Sequence, residues 1–172
     1  METRMRIAVF RVSYRVDRTR QHVKAAEGYL DLGMLAEASA ELEEIDPGQK
    51  LCREVLAVRA RIYEAAGAWE SMCVVSGHLA REWPDEAQHW MWLAYATRRT
   101  KSVDDATVVM LKAMVRHPKC ALIYYNLACY ASVNGTIPEA RRLLDTAIGL
   151  EPGLRGPALD DPDLGAVWKA MG

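Results

Sequence analysis

The side chains best suited to catalysis or metal binding are four histidines and four cysteines, and they are dispersed along the 172 residues. They are His22, His78, His89 and His117, with Cys52, Cys73, Cys120 and Cys129. No two cysteines form a Cys-x-x-Cys pair, and His117 with Cys120 supplies only two of the four ligands that a closed zinc site needs. We therefore expect no metal site.

The motifs by which common enzyme families position their reactive groups are also missing. The sequence has no Gly-x-Gly-x-x-Gly, no phosphate-binding loop, no Gly-x-Ser-x-Gly and no His-Glu-x-x-His. The acidic residues Glu43, Glu44 and Asp46 end a predicted helix and suit a solvated surface better than a catalytic pair. We expect no enzyme activity, no catalytic residue and no cofactor.

Charge and composition narrow the classes of partner. The formal net charge is −1, so the balance gives no reason to expect nucleic acid or an anionic membrane as a partner. Arginines interrupt the apolar residues at the N-terminus, so we expect no secretory signal, reduced cysteines and a cytoplasmic protein. Residues 120–138 carry no charge, but Asn134-Gly135-Thr136 interrupts them, which favours a buried helix followed by a turn over a membrane span.

The positions of small residues repeat every 34 residues, which indicates a repeat architecture. Alanines, glycines and prolines recur in step at this spacing: Ala26, Ala60, Ala94 and Ala128; Gly33, Gly67 and Gly135, with Lys101 in the remaining place; and Pro84, Pro118 and Pro152. Several independent positions agree on one period, so the chain should consist of similar consecutive units.

Each period predicts a pair of helices. In the third, Trp90, Leu93, Ala94 and Thr97 share one helical face, and Val103, Ala106, Met110 and Ala113 share another. The recurring glycines suit a left-handed helix end.

Three further signals mark where helices begin and end. The spacing Thr136-x-x-Glu139 predicts a capping box, and Ser102 stands three residues before Asp105. Pro47 arrives three residues early and should shorten the second helix of the first unit.

These residues resemble the tetratricopeptide repeat. The motif positions are filled without insertion in the third and fourth units: Trp90, Leu93, Ala94, Ala106, Met110, Ala113 and Pro118, then Tyr124, Leu127, Ala128, Gly135, Ala140, Leu144, Ala147 and Pro152. The resemblance implies an all-α fold, a right-handed superhelical solenoid of four helical hairpins. The implied repeats are residues 19–52, 53–86, 87–120 and 121–154.

Two terminal segments lie outside the repeats. Residues 155–172, with Asp161-Pro162-Asp163-Leu164 and Trp168, are similar to the end-of-group units that close bacterial arrays, so we expect a C-terminal capping helix anchored mainly by Trp168. Residues 1–18 form either a basic arm for an acidic partner or an N-terminal cap, as a strand or as a helix. The cap is the favoured alternative. The arginines of this segment are Arg4, Arg6, Arg11, Arg15 and Arg18.

In this family the first helix of each unit lines the concave surface, which implies a partner-binding face. In the third and fourth units that face consists of Met91, Trp92, Tyr95, Arg98, Arg99, Leu122, Tyr125, Asn126 and Cys129. Asn126 stands where many members hydrogen-bond a bound peptide, although it could instead cap or bridge neighbouring helices. The alternative for the face is that the C-terminal segment folds over it, or that Trp92 and Tyr125 pack between helices.

The resemblance implies a protein-binding adaptor or scaffold whose partner is another protein. In length and repeat number the chain is similar to the kinesin-light-chain-like proteins that accompany bacterial tubulins, which implies a filament partner. The alternative is a secretion-type chaperone that holds an extended client peptide, although such chaperones usually have three repeats and a more acidic balance. The sequence predicts no particular oligomeric state.

Overall fold

The computed structural model describes residues 18–171, and within that range the chain is built from helices joined by short turns. The α-helices run in order as follows: α1 (residues 18–31), α2 (Leu35–Glu43), α3 (Arg53–Ala65), α4 (Trp69–Glu82), α5 (Ala87–Thr100), α6 (Val103–Arg116), α7 (Ala121–Val133), α8 (Ile137–Leu150), α9 (Arg155–Asp160) and α10 (Gly165–Met171). The prediction of an all-α helical repeat is confirmed. The described residues form two compact units that divide between Leu79 and Ala80, unit 1 (residues 18–79) and unit 2 (residues 80–171).

Glycine makes the tight turn inside three of the helical hairpins. Gly33, Gly67 and Gly135 have φ angles of 74°, 66° and 77°, in the left-handed region that favours glycine. This confirms the prediction from their 34-residue spacing. Lys101, in the remaining place of the period, has a φ of −131° and turns without a left-handed residue.

The two predicted capping signals had different outcomes. The Ser102 hydroxyl accepts a hydrogen bond from the Asp105 amide at 3.0 Å, so Ser102 caps α6 as expected. The capping box of Thr136 and Glu139 is wrong. The Thr136 hydroxyl donates backwards to the Ala131 carbonyl at 2.9 Å, and Glu139 accepts hydrogen bonds from Arg142 instead.

Unit 1 packs an apolar core between its hairpins. Helix α2 has nine residues, whereas α4, α6 and α8 have 14 each, and a short 3₁₀ turn at Pro47–Gln49 follows it, as Pro47 predicted. The core residues are Ala26, Ala38, Leu42, Ile45, Val55, Val58 and Ile62. The recurring alanines are fully buried, which lets the paired helices approach closely.

Unit 2 has one continuous core that extends from α5 to the C-terminal helix. Its fully buried side chains include Met110, Ile123 and Leu144 of the hairpins together with Leu164 and Val167 of the C-terminal segment. Trp168 is only partly buried, and its indole N–H donates to the Ala158 carbonyl at 2.6 Å. The expected capping helix is present as α10, but Val167 within it and Leu164 directly before it are more deeply buried than Trp168.

Residues 1–17 lie outside the described range, and the alternatives proposed for that segment, including the roles of Arg4, Arg6, Arg11 and Arg15, lie there too. Arg18 is the first described residue, and its side chain is exposed at the start of α1. Over the range 18–171, no helix combines the length and the apolar character needed to cross a membrane.

Candidate functional site

The nine residues predicted to bind a partner lie on two helices of unit 2, α5 and α7. On each helix they are separated by one, three or four positions, which places them on one side of that helix. We call this set the first-helix face: Met91, Trp92, Tyr95, Arg98 and Arg99 on α5, with Leu122, Tyr125, Asn126 and Cys129 on α7. The Arg98 guanidinium lies 5.5 Å from the centroid of the Tyr130 ring and so connects α5 with α7.

The chain's own C-terminal segment covers one part of this face. The Arg98 guanidinium donates two hydrogen bonds to the Asp163 carboxylate, at 2.5 and 3.1 Å. The Tyr125 hydroxyl donates to Asp161 at 2.8 Å, and the Cys129 thiol donates to the same carboxylate oxygen at 3.6 Å. The fold-back that the sequence left open as an alternative therefore takes place at Arg98, Tyr125 and Cys129.

A local turn presents the two carboxylates together. Asp161 is extended, and its side chain accepts a hydrogen bond from the Asp163 amide at 2.9 Å. Pro162 starts the short 3₁₀ turn that follows, where its missing N–H has no cost. This turn places the Asp161 and Asp163 carboxylates side by side towards α5 and α7, and it places Leu164 in the core.

The surroundings of the covered part keep the hydroxyls of Tyr125 and Tyr130 and the thiol of Cys129 protonated and the Arg98 guanidinium charged. Burial, with the neighbouring Asp161 carboxylate, raises the pKa of Tyr125 and of Cys129 well above their usual values. Burial raises the pKa of Tyr130 to about 12. The hydrogen bonds to Asp163 raise the pKa of Arg98 above its usual value. The cysteine is therefore a protonated thiol near neutral pH and a poor nucleophile.

The same cluster was tested as a metal site, because the Cys129 sulfur and the carboxylates of Asp161 and Asp163 lie within 4.8 Å of one another. Each of these groups already has a protein partner. Arg98 neutralises Asp163, and Tyr125 and the Asp163 amide donate to Asp161. A metal ion would also have to replace the proton of a thiol whose pKa is raised. The donor set fits a hydrogen-bonded ion pair better than a metal centre.

The rest of the first-helix face is not covered by these contacts. Trp92 is partly exposed and stacks on the buried His89 ring, with centroids 6.1 Å apart. The Arg99 guanidinium lies 5.1 Å from the centroid of the Tyr95 ring and donates to its hydroxyl at 3.0 Å. On α7, Leu122 is 39 % exposed.

Asn126 retains part of its hydrogen-bonding capacity. Its amide donates one hydrogen bond to the Leu122 carbonyl at 2.7 Å, within its own helix. The amide offers a second N–H and an acceptor oxygen, and within residues 18–171 no partner is recorded for either. Asn126 therefore does not bridge neighbouring helices in the described part of the chain, and its side chain has groups left to meet an added peptide.

The histidines that could have carried chemistry have structural contacts instead. His22 pairs with Glu41 at 2.8 Å in unit 1. In unit 2, His89 Nδ1 lies 3.0 Å from the Trp83 carbonyl oxygen, and His117 Nε2 lies 3.0 Å from the Pro84 carbonyl oxygen. The last contact joins two loops that lie one repeat apart.

Unit 1 contains a cavity of about 450 Å³ between α1 and the start of α3. Its wall is mixed in charge, with Arg20 and Lys24 on one helix turn and with Glu27 and Glu54 nearby. The Glu27 carboxylate also lies 3.7 Å from Arg61.

Sequence reasoning found the C-terminal segment but missed the role of Asp161 and Asp163. The segment differs from the repeats in composition, which is what identified it. The contact between Arg98 and Asp163 spans 65 residues, and neither helical periodicity nor the repeat period signals it. The one available signal is local: Asp followed by Pro favours a turn in which the Asp side chain accepts a hydrogen bond from the amide two residues on.

Comparison with known proteins shows the fold. No protein-family model matches the chain, and no curated protein matches it. A solved structure of MamA, a tetratricopeptide-repeat protein (the RS-1 ArsTM double mutant), superposes with a TM-score of 0.67 at 16 % sequence identity. The match covers 90 % of this chain and 95 % of the MamA chain. The helical-repeat fold is therefore shared with MamA.

Proposed function

We propose that this chain is a non-enzymatic scaffold that binds another protein through the first-helix face of unit 2. The observation that carries the proposal is the uncovered part of that face, which has Trp92 and Tyr95 with Arg99 on α5, and Leu122 with Asn126 on α7. Aromatic rings with a guanidinium nearby are the composition enriched at the centres of protein interfaces.

The form of the partner is an extended segment of chain. One helical turn away from Leu122, Asn126 offers one donor and one acceptor, which suit the N–H and C=O of an extended peptide. A cytoplasmic location with reduced cysteines completes the proposal.

A comparative pull-down from the native cell tests the proposal. The bait variant Leu122→Ser/Asn126→Ala changes two side chains of the first-helix face that make no contact with Asp161 or Asp163. Its matched control, Val108→Ser/Arg141→Ala, changes exposed residues on the second helices of the same unit. We expect a protein that is retained by the wild type and by the control and is lost from the face variant. Equal retention by all three baits would contradict the proposal.

A finer version makes the partner a bacterial tubulin-type filament. Its support is the similarity of length and repeat number to the kinesin-light-chain-like proteins, together with the arginines in residues 1–18, which suit an acidic filament surface. Co-sedimentation with such filaments at low salt is the expected result. Failure to co-sediment would remove this version and leave the scaffold proposal in place.

The alternative version is a chaperone for an extended client, and the remaining hydrogen-bonding groups of Asn126 favour it. A chaperone should lose its client when Leu122 and Asn126 are replaced. A filament bound through residues 1–18 should be retained by the same variant. The pull-down above therefore separates the two versions by the identity of the protein and by its sensitivity to the face variant.

A further inference from the structure

The C-terminal segment contacts three of the nine residues that are proposed to bind a partner. It does so with directional bonds from Arg98, Tyr125 and Cys129 to two carboxylates, in addition to apolar packing. Together these contacts show what kind of segment the face accepts. The accepted segment has carboxylates at two positions separated by one residue, followed directly by a buried apolar side chain, Leu164.

We infer that the covered part of the first-helix face is a binding site for an acidic–x–acidic–apolar segment, and that Asp161-Pro162-Asp163-Leu164 occupies it in competition with the partner. This inference rests on the proposed function and adds the chemistry of the partner. Arg98 selects the second carboxylate through two parallel hydrogen bonds, which a neutral side chain cannot accept in the same way. Tyr125 and Cys129 donate to the first.

The charges of the two helices support an acidic occupant. Helix α5 carries Arg98 and Arg99 and no acidic residue, and α7 carries no charged residue at all. Within residues 18–171, the carboxylates that accept hydrogen bonds from Arg98, Tyr125 and Cys129 are Asp161 and Asp163, which come from the segment itself. A partner segment must therefore bring its own carboxylates when it replaces them.

Competition sets the conditions under which a partner can bind. The internal segment follows directly on α9, which is packed on the core, so its effective concentration is at least the value of the order of 1 mM that a short flexible linker gives. A partner with the same contacts therefore binds weakly to the resting protein and more tightly when the internal carboxylates are neutralised. Asparagine has nearly the shape of aspartate, so Asp161→Asn/Asp163→Asn weakens the internal contacts while leaving Arg98, Tyr125 and Cys129 in place.

The probe is a fluorescein-labelled peptide, LDDPDLGAVWKA, which copies residues 159–170. Fluorescence anisotropy should show that it binds the Asp161→Asn/Asp163→Asn protein at least tenfold more tightly than the wild type. Adding Arg98→Gln to that variant should abolish the gain. A second probe, with asparagine in place of the aspartates that correspond to Asp161 and Asp163, should bind no more tightly to either variant than to the wild type. Equal affinity of the acidic probe for the wild type and the variant, or an equal gain for the neutral probe, would overturn the inference.

A second measurement uses the wild-type protein and does not depend on how well a variant folds. Unlabelled acidic probe at millimolar concentration should accelerate amide hydrogen exchange in residues 163–168, because it displaces them from Arg98 on α5 and from helices α7 and α8. Unchanged exchange there would also overturn the inference.

The two proposals can fail separately. A partner that is lost from the Leu122→Ser/Asn126→Ala bait but is not displaced by the acidic probe would support the proposed function and contradict this inference. Binding of the acidic probe, together with a pull-down that yields no partner, would support the site for the acidic segment and contradict the proposed function.

Discussion

The ion pair of Arg98 and Asp163 should stabilise unit 2 more than an ordinary surface pair does. Both side chains are 27 % exposed, and the guanidinium makes two hydrogen bonds to the carboxylate. Exposed pairs contribute up to about 1 kcal/mol, and loss of one partner from a fully buried pair costs about 3–5 kcal/mol. The Arg98 pair lies between these limits, so Asp163→Asn should lower the free energy of unfolding by about 2 kcal/mol.

A double-mutant cycle isolates the contribution of the pair. Arg98→Gln alone should also cost about 2 kcal/mol, and the double variant should cost less than the sum, with a coupling energy of about 1–1.5 kcal/mol. The assay is urea denaturation at pH 7 and 25 °C, followed by far-ultraviolet circular dichroism. The matched control is Arg116→Gln, whose pair with Asp85 is 50 % and 90 % exposed and should contribute less than about 0.5 kcal/mol.

Salt gives an independent check on the same pair. Because Arg98 and Asp163 are mostly buried, 1 M sodium chloride should reduce their coupling by less than half, whereas it should nearly abolish the coupling of Arg116 with Asp85. A coupling energy for Arg98 and Asp163 below about 0.3 kcal/mol, no larger than that of the control, would refute the reasoning.

Three further predictions concern single side chains in unit 2. The fold raises the pKa of Tyr130 from 10.0 to about 12, so the unfolded chain loses this proton first and stability falls as the pH rises through that range. Between pH 9 and pH 11, urea denaturation should show that the free energy of unfolding falls by about 1 kcal/mol less for Tyr130→Phe than for the wild type. Gly135→Ala should cost about 1 kcal/mol, because φ is +77° although an added Cβ would meet no atom. Its control Gly149→Ala, within α8, should instead stabilise by about 0.5 kcal/mol in the same assay. Leu164→Ala should lower the thermal midpoint by an amount that corresponds to about 3 kcal/mol, whereas Leu159→Ala, at a residue 58 % exposed, should change it little.

The repeat architecture could be predicted because it depends on local rules that act at fixed spacing. A turn that needs a left-handed residue selects glycine, and close helix pairs select alanine, so Gly33, Gly67 and Ala94 indicate the hairpins without any long-range information. The early Pro47 likewise predicted the shortened α2 from its own missing N–H.

Two predictions failed, one about a hydrogen-bond partner and one about the depth of burial of a side chain. Thr136 had both a downstream amide and an upstream carbonyl within reach, and its hydroxyl donates to Ala131 instead of capping α8. The size of Trp168 suggested the main anchor of the C-terminal helix, but Leu164 and Val167 face the core and the indole lies at its edge.

The covered part of the candidate site was predictable only in outline. The sequence identified the first-helix face and left open that the C-terminal segment folds over it. It could not assign Arg98 to Asp163, since such a pair depends on how a turn 65 residues away meets α5. Long-range contacts of this kind follow from the packed structure and not from a spacing rule.

Site-specific photo-crosslinking in the native cell tests the central claim most directly. A photoreactive phenylalanine derivative replaces Leu122, on the first-helix face, or Val108, which is exposed on α6. A protein scaffold that uses the first-helix face should yield a discrete crosslinked protein from position 122 that is absent from position 108. No adduct at position 122, or the same adducts at both positions, would contradict the claim that the first-helix face of unit 2 holds a protein partner.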